Sequence, residues 1–308
     1  MSEMLALIKE MGEVQLRTTV RPTCEAPDHV LIRVRMAGIC RTDLAVIRSQ
    51  LPTPEPLIVG HEFAGEIVSL GSAIAHLNVG MRVTAMPLLP CGMCPACREN
   101  RSESCYQGKM LGLHVSGAFA EYVCLPADLV YPLPADLDWK TAAFSEPVAA
   151  AAAILHAEIR PDQQGVILGQ GRIAELSLRL LKSQGFAQVA IHSNPDTLPD
   201  NGCDWLIETG LSSPNLDPLI SALRPRGLLL LKSRHLPRLD FDPQLLIRKE
   251  IRLQGVYYAP FPWVLNWLSS HAERVQDLFG NVYPAQEWLS ALLSAESGEA
   301  RKVFISWT

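Results

Sequence analysis

The stretch Gln164–Ser193, QGVILGQGRIAELSLRLLKSQGFAQVAIHS, decides the fold class. "GVIL" is a short apolar run of strand character, "GQG" a tight glycine turn, "RIAELSLRLL" a helix with apolar residues on one face, and "VAIHS" a second strand. Strand, glycine turn, helix and strand in this order make one βαβ unit. Downstream, "CDWLIETG" (203–210), "GLLLLKS" (227–233) and "IRLQGVYY" (251–258) supply three more strands, with "LDPLISALRP" (216–225) as an intervening helix. Strands alternating with helices predict a parallel, doubly wound sheet.

Upstream the character differs. "HVLIRVRMAGI" (29–39) alternates apolar and basic residues with period two, and "EFAGEIVSLG" (62–71), "GMRVTAM" (80–86) and "AFAEYVCLP" (118–126) are short strand candidates between glycines and prolines. This is an all-β lobe. An alanine-rich helical stretch in "PLPADLDWKTAAFSEPVAAAAAILHA" (132–157) joins it to the βαβ region. From about Pro262 the chain returns to mixed helix and strand, ending in "RKVFISW". With 308 residues, two domains are expected, one of them discontinuous: 1–150 with 263–308, and 151–262.

A formal net charge of −5, with 19% charged and 48% hydrophobic residues, describes a chain that can bury a full core and does not call for nucleic acid or an anionic membrane. The N-terminal "MSEMLALIKEMGEVQL" mixes acids and a lysine into its apolar residues, unlike a signal peptide. The longest purely apolar run, Val148 to Leu155, is far below a membrane span. A cytoplasmic location is expected.

That location governs the cysteines. A disulfide framework belongs to small secreted domains. In a reducing compartment "CGMCPACRENRSESC" (91–105), spaced C-x2-C-x2-C-x7-C, reads as four thiolates, Cys91, Cys94, Cys97 and Cys105, around one zinc. Four sulfur ligands close the tetrahedron, so this zinc is structural and the chemistry lies elsewhere. "AGICRTD" contains Cys40 and "VGHEFAG" contains His61 and Glu62. A thiolate, an imidazole and a carboxylate can hold zinc while leaving a position open to substrate.

"AGICRTDL" followed by "VGHEFAGEIV", "CGMCPACRENRSESC" and "GAFAEYVCLP" resembles the zinc-containing medium-chain dehydrogenase/reductases, particularly the alcohol, polyol and threonine dehydrogenase-like branch. The resemblance implies a GroES-like β-rich catalytic domain plus a Rossmann-type domain. It makes Cys40 and His61 ligands of a catalytic zinc, Glu62 a third or exchangeable ligand, and Glu146 in "FSEPVAAA" the glutamate that polyol-type members place at the metal. By the same carry-over Thr42 is the hydroxyl that relays the substrate proton, Asp43 the carboxylate that orients the histidine, and Arg41 an arginine set against the cofactor pyrophosphate. Two zinc ions per chain and a homodimer or homotetramer are expected on this basis. The reaction implied is hydride transfer between a polar secondary alcohol, such as a polyol, sugar derivative or amino alcohol, or its ketone, and NAD(P)(H). A biosynthetic NADPH-dependent carbonyl reductase, or a zinc-stabilised binding protein with a degraded cofactor site, are the alternatives.

In "GQGRIA", Gly169, Gly171 and Ala174 occupy the positions of a dinucleotide fingerprint, after a strand and opening a helix, where backbone N–H groups can receive a pyrophosphate. Arg172 lies in that first turn and could add a charge. Two departures from the family follow. An acid that would bind the ribose hydroxyls of NAD is missing at the end of the second strand, where His192, Ser193 and Asn194 stand, which leans the cofactor choice towards NADP(H), with Ser193 as a contact. Only "NPDTLPDNG" then precedes "CDWLIETG". Extended, that segment reaches about 30 Å, against roughly 22 Å needed to cross two strand spacings and run back along a strand. The connection is therefore feasible, although shorter than the crossover normal for parallel strands; an edge strand and its two flanking helices are inferred to be missing, so a trimmed Rossmann sheet is expected.

Overall fold

The computed structural model describes residues 2–211, 213–234, 238–297 and 301–307. The chain divides into two compact units, residues 1–147 with 260–308, and residues 148–259.

The first unit is built on short antiparallel strands. A hairpin of β1 (Glu3–Glu10) and β2 (Glu13–Val20) precedes β3 (His29–Gly38), the short helix α1 (Arg41–Ile47), β4 (Leu57–Ile58), β5 (Glu62–Leu70), β6 (Arg82–Ala85) and β7 (Leu88–Leu89). The single-turn helix α2 (Pro95–Arg98) and β8 (Lys109–Met110) belong to the four-cysteine lobe, followed by β9 (Tyr122–Pro126), β10 (Val130–Pro132) and α3 (Trp139–Ala143). One sheet has the order β2-β1-β4. A larger one runs β10-β6-β5-β3 and also takes in β9 against β3. The period-two pattern of residues 29–39 has its cause here: Ile32 and Val34 are buried while the intervening Arg33 and Arg35 are half-exposed. Ile32, Val34, Phe63, Ile67, Val83 and Phe119 lie in one core.

Helix α4 (Ser145–Ala152) leads into the second unit: β11 (Gly165–Leu168), α5 (Arg172–Ser183), β12 (Val189–His192), β13 (Cys203–Glu208), α6 (Asp217–Ala222), β14 (Leu223–Leu231), α7 (Pro243–Arg248) and β15 (Arg252–Gly255). All five strands are parallel, in the order β12-β11-β13-β14-β15. Every residue of β11 is buried, as a central parallel strand with helices on both faces requires. Ile167 packs with Ala174 and Leu181 of α5, whereas Val166 and Leu168 pack with Leu219 and Ile220 of α6. The sheet is therefore doubly wound. Residues 193–202 cross from β12 to β13 with a single 3₁₀ turn at Pro195–Thr197, and β12, half-exposed, is the edge. This is the trimmed sheet that the short connection implies.

The chain then returns to the first unit with α8 (Phe261–His271), β16 (Phe279–Pro284), α9 (Trp288–Glu296) and β17 (Lys302–Ser306). Strands β17 and β16 extend the larger sheet beyond β3. No helix among the described residues is long and apolar enough to cross a membrane.

One feature departs from the cysteine argument. Cys24, after β2, and Cys124, on β9, form a disulfide with Cα atoms 6.1 Å apart. The pairing of β9 with β3 places His29 opposite Pro126 and Leu31 opposite Cys124. The disulfide joins two residues 100 positions apart, a proximity that cysteine spacing does not reveal.

Candidate metal centre and cofactor turn

Cys40 ends the β3 segment and caps α1, so the first turn of α1 carries Thr42 and Asp43 back beneath it. His61 and Glu62 come from the start of β5, which pairs with the end of β3 through Gly38 and Glu62. Two chain segments that the sequence separates are thus neighbours in one sheet.

Asp43 is fully buried and divides its carboxylate between them. Oδ2 accepts the Cys40 backbone N–H at 2.8 Å, and Oδ1 accepts the His61 ring Nδ1–H at 2.9 Å. The second bond fixes the tautomer and leaves a lone pair on Nε2. Nε2 of His61 is buried and has no hydrogen-bond partner among the described residues. A buried imidazole nitrogen in that state is costly unless it has a ligand. The ligand atoms of Cys40, His61 and Glu62 lie within 4.8 Å of one another. Burial lowers the His61 pKa, but with no ion bound the adjacent Asp43 carboxylate, assisted by Cys40, outweighs burial and holds it well above the usual value, so Nε2 takes up a proton that a metal ion would displace. An imidazole made this basic is also a strong metal donor. Orphaned nitrogen, thiol and carboxylate together fit a zinc ion with an open position.

Glu62 is buried, and its pKa is raised by that burial and by repulsion from Glu146 against the opposing pull of Lys302. Glu146 is buried in the first turn of α4, near enough for its charge to be felt by Glu62, but it is not among the residues whose ligand atoms cluster within 4.8 Å, which are Cys40, His61 and Glu62. Thr42 is buried on α1, whereas Arg41, the first residue of that helix, is exposed. Lys302 was not among the sequence candidates. It opens β17, is 1% exposed, and forms an ion pair with Oε2 of Glu62. Its only sequence signal is a lysine heading the otherwise apolar "VFI" of a strand.

In the four-cysteine lobe the sulfur atoms lie 3.5 Å (Cys94 to Cys97), 3.8 Å (Cys94 to Cys105) and 4.0 Å (Cys91 to Cys97) apart. A tetrahedron with Zn–S arms of about 2.3 Å has edges of about 3.8 Å. Backbone N–H groups of Met93 and Cys94 lower the Cys91 thiol to about 6, while burial and the neighbouring thiols push Cys97 up to about 12. Four thiols so close cannot all ionise unaided, and a divalent cation removes the conflict.

In the second unit Gly169 has φ +144°, and a Cβ there would lie 2.1 Å from Thr209 Oγ1, whose hydroxyl donates to the Leu168 carbonyl. Gly171 caps α5 without a side-chain hydrogen bond, and among the described residues, its chain neighbours aside, a Cβ on it would meet nothing within 4 Å. No internal packing requires glycine at 171, so the room in front of the helix N-terminus fits a bound pyrophosphate. Ala174 is buried in the core between α5 and the sheet, the close packing that the third fingerprint position serves. Arg172 is the first residue of α5 and half-buried, and Ser193 is exposed beyond β12.

These features agree with what the chain resembles. Residues 26–135 match the alcohol dehydrogenase GroES-like domain. The chain is 28% identical to the sorbitol dehydrogenase of Halalkalibacterium halodurans, covering 98% of this chain and 99% of the relative. It is 34% identical to the L-threonine 3-dehydrogenase of Rhizobium etli (strain CIAT 652) over 72% of this chain and 67% of the relative. Among solved structures, that of a zinc-binding dehydrogenase from Sinorhizobium meliloti 1021 bound to NADP superposes with a TM-score of 0.89 at 24% identity, covering 99% of this chain and 100% of that one. The chain belongs to the zinc-containing medium-chain dehydrogenase/reductases, in their alcohol and polyol dehydrogenase-like branch. It is an oxidoreductase of the NAD(P)-linked type that acts on CH–OH donors.

Proposed function

We propose that the protein transfers hydride between a polar secondary alcohol, or the corresponding ketone, and a nicotinamide cofactor, using one catalytic and one structural zinc. The buried, unpartnered Nε2 of His61 beside Cys40 and Glu62 carries this reading. When bound, zinc supplies Lewis acidity at the substrate oxygen and the nicotinamide exchanges hydride with the carbinol carbon.

The residues do the rest. Cys40 and His61 hold the catalytic ion, with Glu62 and Glu146 as carboxylates at the same centre, and Cys91, Cys94, Cys97 and Cys105 hold the structural one. Asp43 keeps the His61 ring in the tautomer that presents Nε2. Thr42 passes the substrate hydroxyl proton towards solvent, which avoids stranding charge in a buried site. Backbone N–H groups at Gly171 and the α5 N-terminus receive the pyrophosphate, with Arg172 and Arg41 as supporting charges. Beyond β12 no acid faces the ribose, so the cofactor preference leans to NADP(H), with Ser193 at the 2′ position. With β12 as the sheet edge, the adenosine has less wall and affinity for either nicotinamide is modest. The assembly is a homodimer or homotetramer, and the compartment is the cytoplasm.

The substrate class follows the sorbitol and threonine dehydrogenases among the relatives. A panel of polyols, sugar derivatives, amino alcohols and ketones, assayed with both nicotinamides alongside metal analysis, tests the reading. Turnover with two zinc ions per chain is expected; two zinc ions with no nicotinamide binding would refute it in favour of a binding protein. Within an active enzyme, Thr42→Val should slow turnover by roughly 10²–10⁴-fold, and an unchanged rate would reassign the relay.

A further inference from the structure

Glu208 is the last residue of β13 and has no exposure. It stands in one row across the carboxyl ends of the sheet, opposite Leu168 of β11 and Leu231 of β14. A carboxylate buried between two leucines is unfavourable unless its oxygens are hydrogen-bonded. Both oxygens turn to one residue: Oε1 accepts the Ser233 hydroxyl at 2.6 Å, and Oε2 accepts the Ser233 backbone N–H at 3.2 Å. Ser233 lies two residues beyond β14. Up to Lys232 that strand is held by its own ladder, the Lys232 N–H donating to the Glu208 carbonyl at 3.0 Å. One residue further on, the Glu208 side chain replaces the backbone as acceptor.

Thr209, the next residue, does the same on the other side. Its backbone N–H and its hydroxyl both donate to the Leu168 carbonyl, at 2.9 and 2.8 Å, and its Oγ1 is the atom that a Cβ on Gly169 would strike. Two consecutive residues at the exit of β13 therefore lock different neighbours. Thr209 holds the glycine turn, and Glu208 holds the turn after β14.

The strand order gives these two locks different halves of a dinucleotide. From β11 the chain moves outward to β12 and then back across to β13, so the order reverses between β11 and β13. Dinucleotides lie across the carboxyl ends of the strands at such a point. With the pyrophosphate at the α5 N-terminus and the adenosine on the β12 side, the nicotinamide riboside falls to the exits of β13 and β14. We propose that Glu208 is a positioning residue for the nicotinamide half of the cofactor: its carboxylate fixes the Ser233 turn, and that turn is the bed for this half alone. This rests on the reading of the second unit as a nicotinamide site. A side chain placed only to stabilise the sheet would be matched by leucine, the residue at both neighbouring positions of the row.

Cofactors cut at the pyrophosphate separate the two halves. Full-length protein is titrated calorimetrically with NADPH and with 2′-phospho-ADP, which lacks the nicotinamide riboside, and likewise with NADH and ADP. Glu208→Leu, which suits the leucine row, should weaken NADPH and NADH about tenfold and leave both truncated molecules unchanged. Glu208→Gln keeps an acceptor for the Ser233 N–H and offers an NH2 group to the Ser233 hydroxyl oxygen, so it should bind within about twofold of wild type. Ser233→Ala removes one of the two bonds, should weaken only the whole cofactors, by about threefold, and serves if Glu208→Leu fails to fold. Equal losses for whole and truncated molecules would mean a general disturbance of the sheet, and losses in Glu208→Gln as large as those in Glu208→Leu would mean that charge acts rather than the two bonds; either result overturns the assignment. A wild-type chain that binds none of the four molecules would remove the cofactor reading and this one together, while whole cofactors bound as in wild type by Glu208→Leu or Ser233→Ala would remove the role of Glu208 alone.

Discussion

Asp43→Asn is the sharpest perturbation of the catalytic centre, because the carboxylate it replaces has no exposure and two defined partners. An asparagine side chain has the same shape but one acceptor oxygen and one NH2 group. Both partners of Asp43 are donors, so the NH2 must face one of them. If it faces the Cys40 backbone N–H, two buried donors oppose each other, at a cost of about 1–3 kcal/mol. If it faces His61, the ring proton moves to Nε2, and the nitrogen turned towards Cys40 and Glu62 has no lone pair to give. In both arrangements the negative charge that makes the imidazole a strong donor is gone. Losing an orienting partner of this kind lowers metal affinity about 10–100-fold, roughly 1.4–2.8 kcal/mol. Zinc release to a chelator, followed over time, gives one phase for the open site and one for the four-cysteine site. Only the open-site phase should accelerate, with the thermal transition lowered by the smaller hydrogen-bond term. Two wild-type release phases in the Asp43→Asn protein would show that His61 is not oriented through residue 43 and that its Nε2 is not a metal donor.

Cys97→Ser should behave as a folding defect with loss of one zinc per chain, since a closed four-sulfur site couples metal binding to folding; elemental analysis and a melt check it, and full zinc with full stability would refute the closed site. Cys124→Ser opens a link spanning 100 residues, for which chain entropy gives about 4.7 kcal/mol and typical losses are 2–4 kcal/mol. Chemical denaturation with and without a phosphine reductant measures it, and coincident curves would mean that Cys24 and Cys124 are not joined in solution. Gly171→Asp places a side chain and a negative charge before α5, where a Cβ would meet no atom of the described residues within 4 Å beyond its chain neighbours. Calorimetric titration should show nicotinamide binding abolished in that variant, with modest affinity and a small preference for NADPH in the wild type; tight, NAD-selective wild-type binding would contradict the trimmed adenosine wall.

How much of this was legible in the sequence depends on the range of the interaction concerned. The βαβ unit at 164–193 reads directly because its signals are local: four apolar residues, a glycine turn and an amphipathic helix, each set by its own neighbours. The trimmed sheet was equally readable, since a segment as short as 193–202 cannot contain another strand and two helices. The four-cysteine lobe reads for the same reason, its ligands falling within fifteen residues. Cys40, His61 and Glu62 needed the family resemblance, because on sequence alone nothing shows that the end of β3 and the start of β5 pair.

What escaped the sequence lies across strand pairings that only the fold makes. Cys124 lies on β9, which adds to β3, and is joined to Cys24 in the segment ahead of β3, and Lys302 meets Glu62 because β17 pairs with the opposite side of β3. In each case the residue looks ordinary in its own segment. A lysine at the start of "KVFIS" reads as a strand end reaching water, and a glycine at 38 as the end of an alternating run. Their meaning is joint: the glycine is small because the lysine and glutamate pass over it, and the lysine is buried because the glutamate is. The C-terminal strand thus contributes more than an extra strand to the sheet, since it delivers a positive charge that pairs directly with Glu62, a candidate metal ligand. Removing that strand should therefore disturb the metal centre as well as the fold.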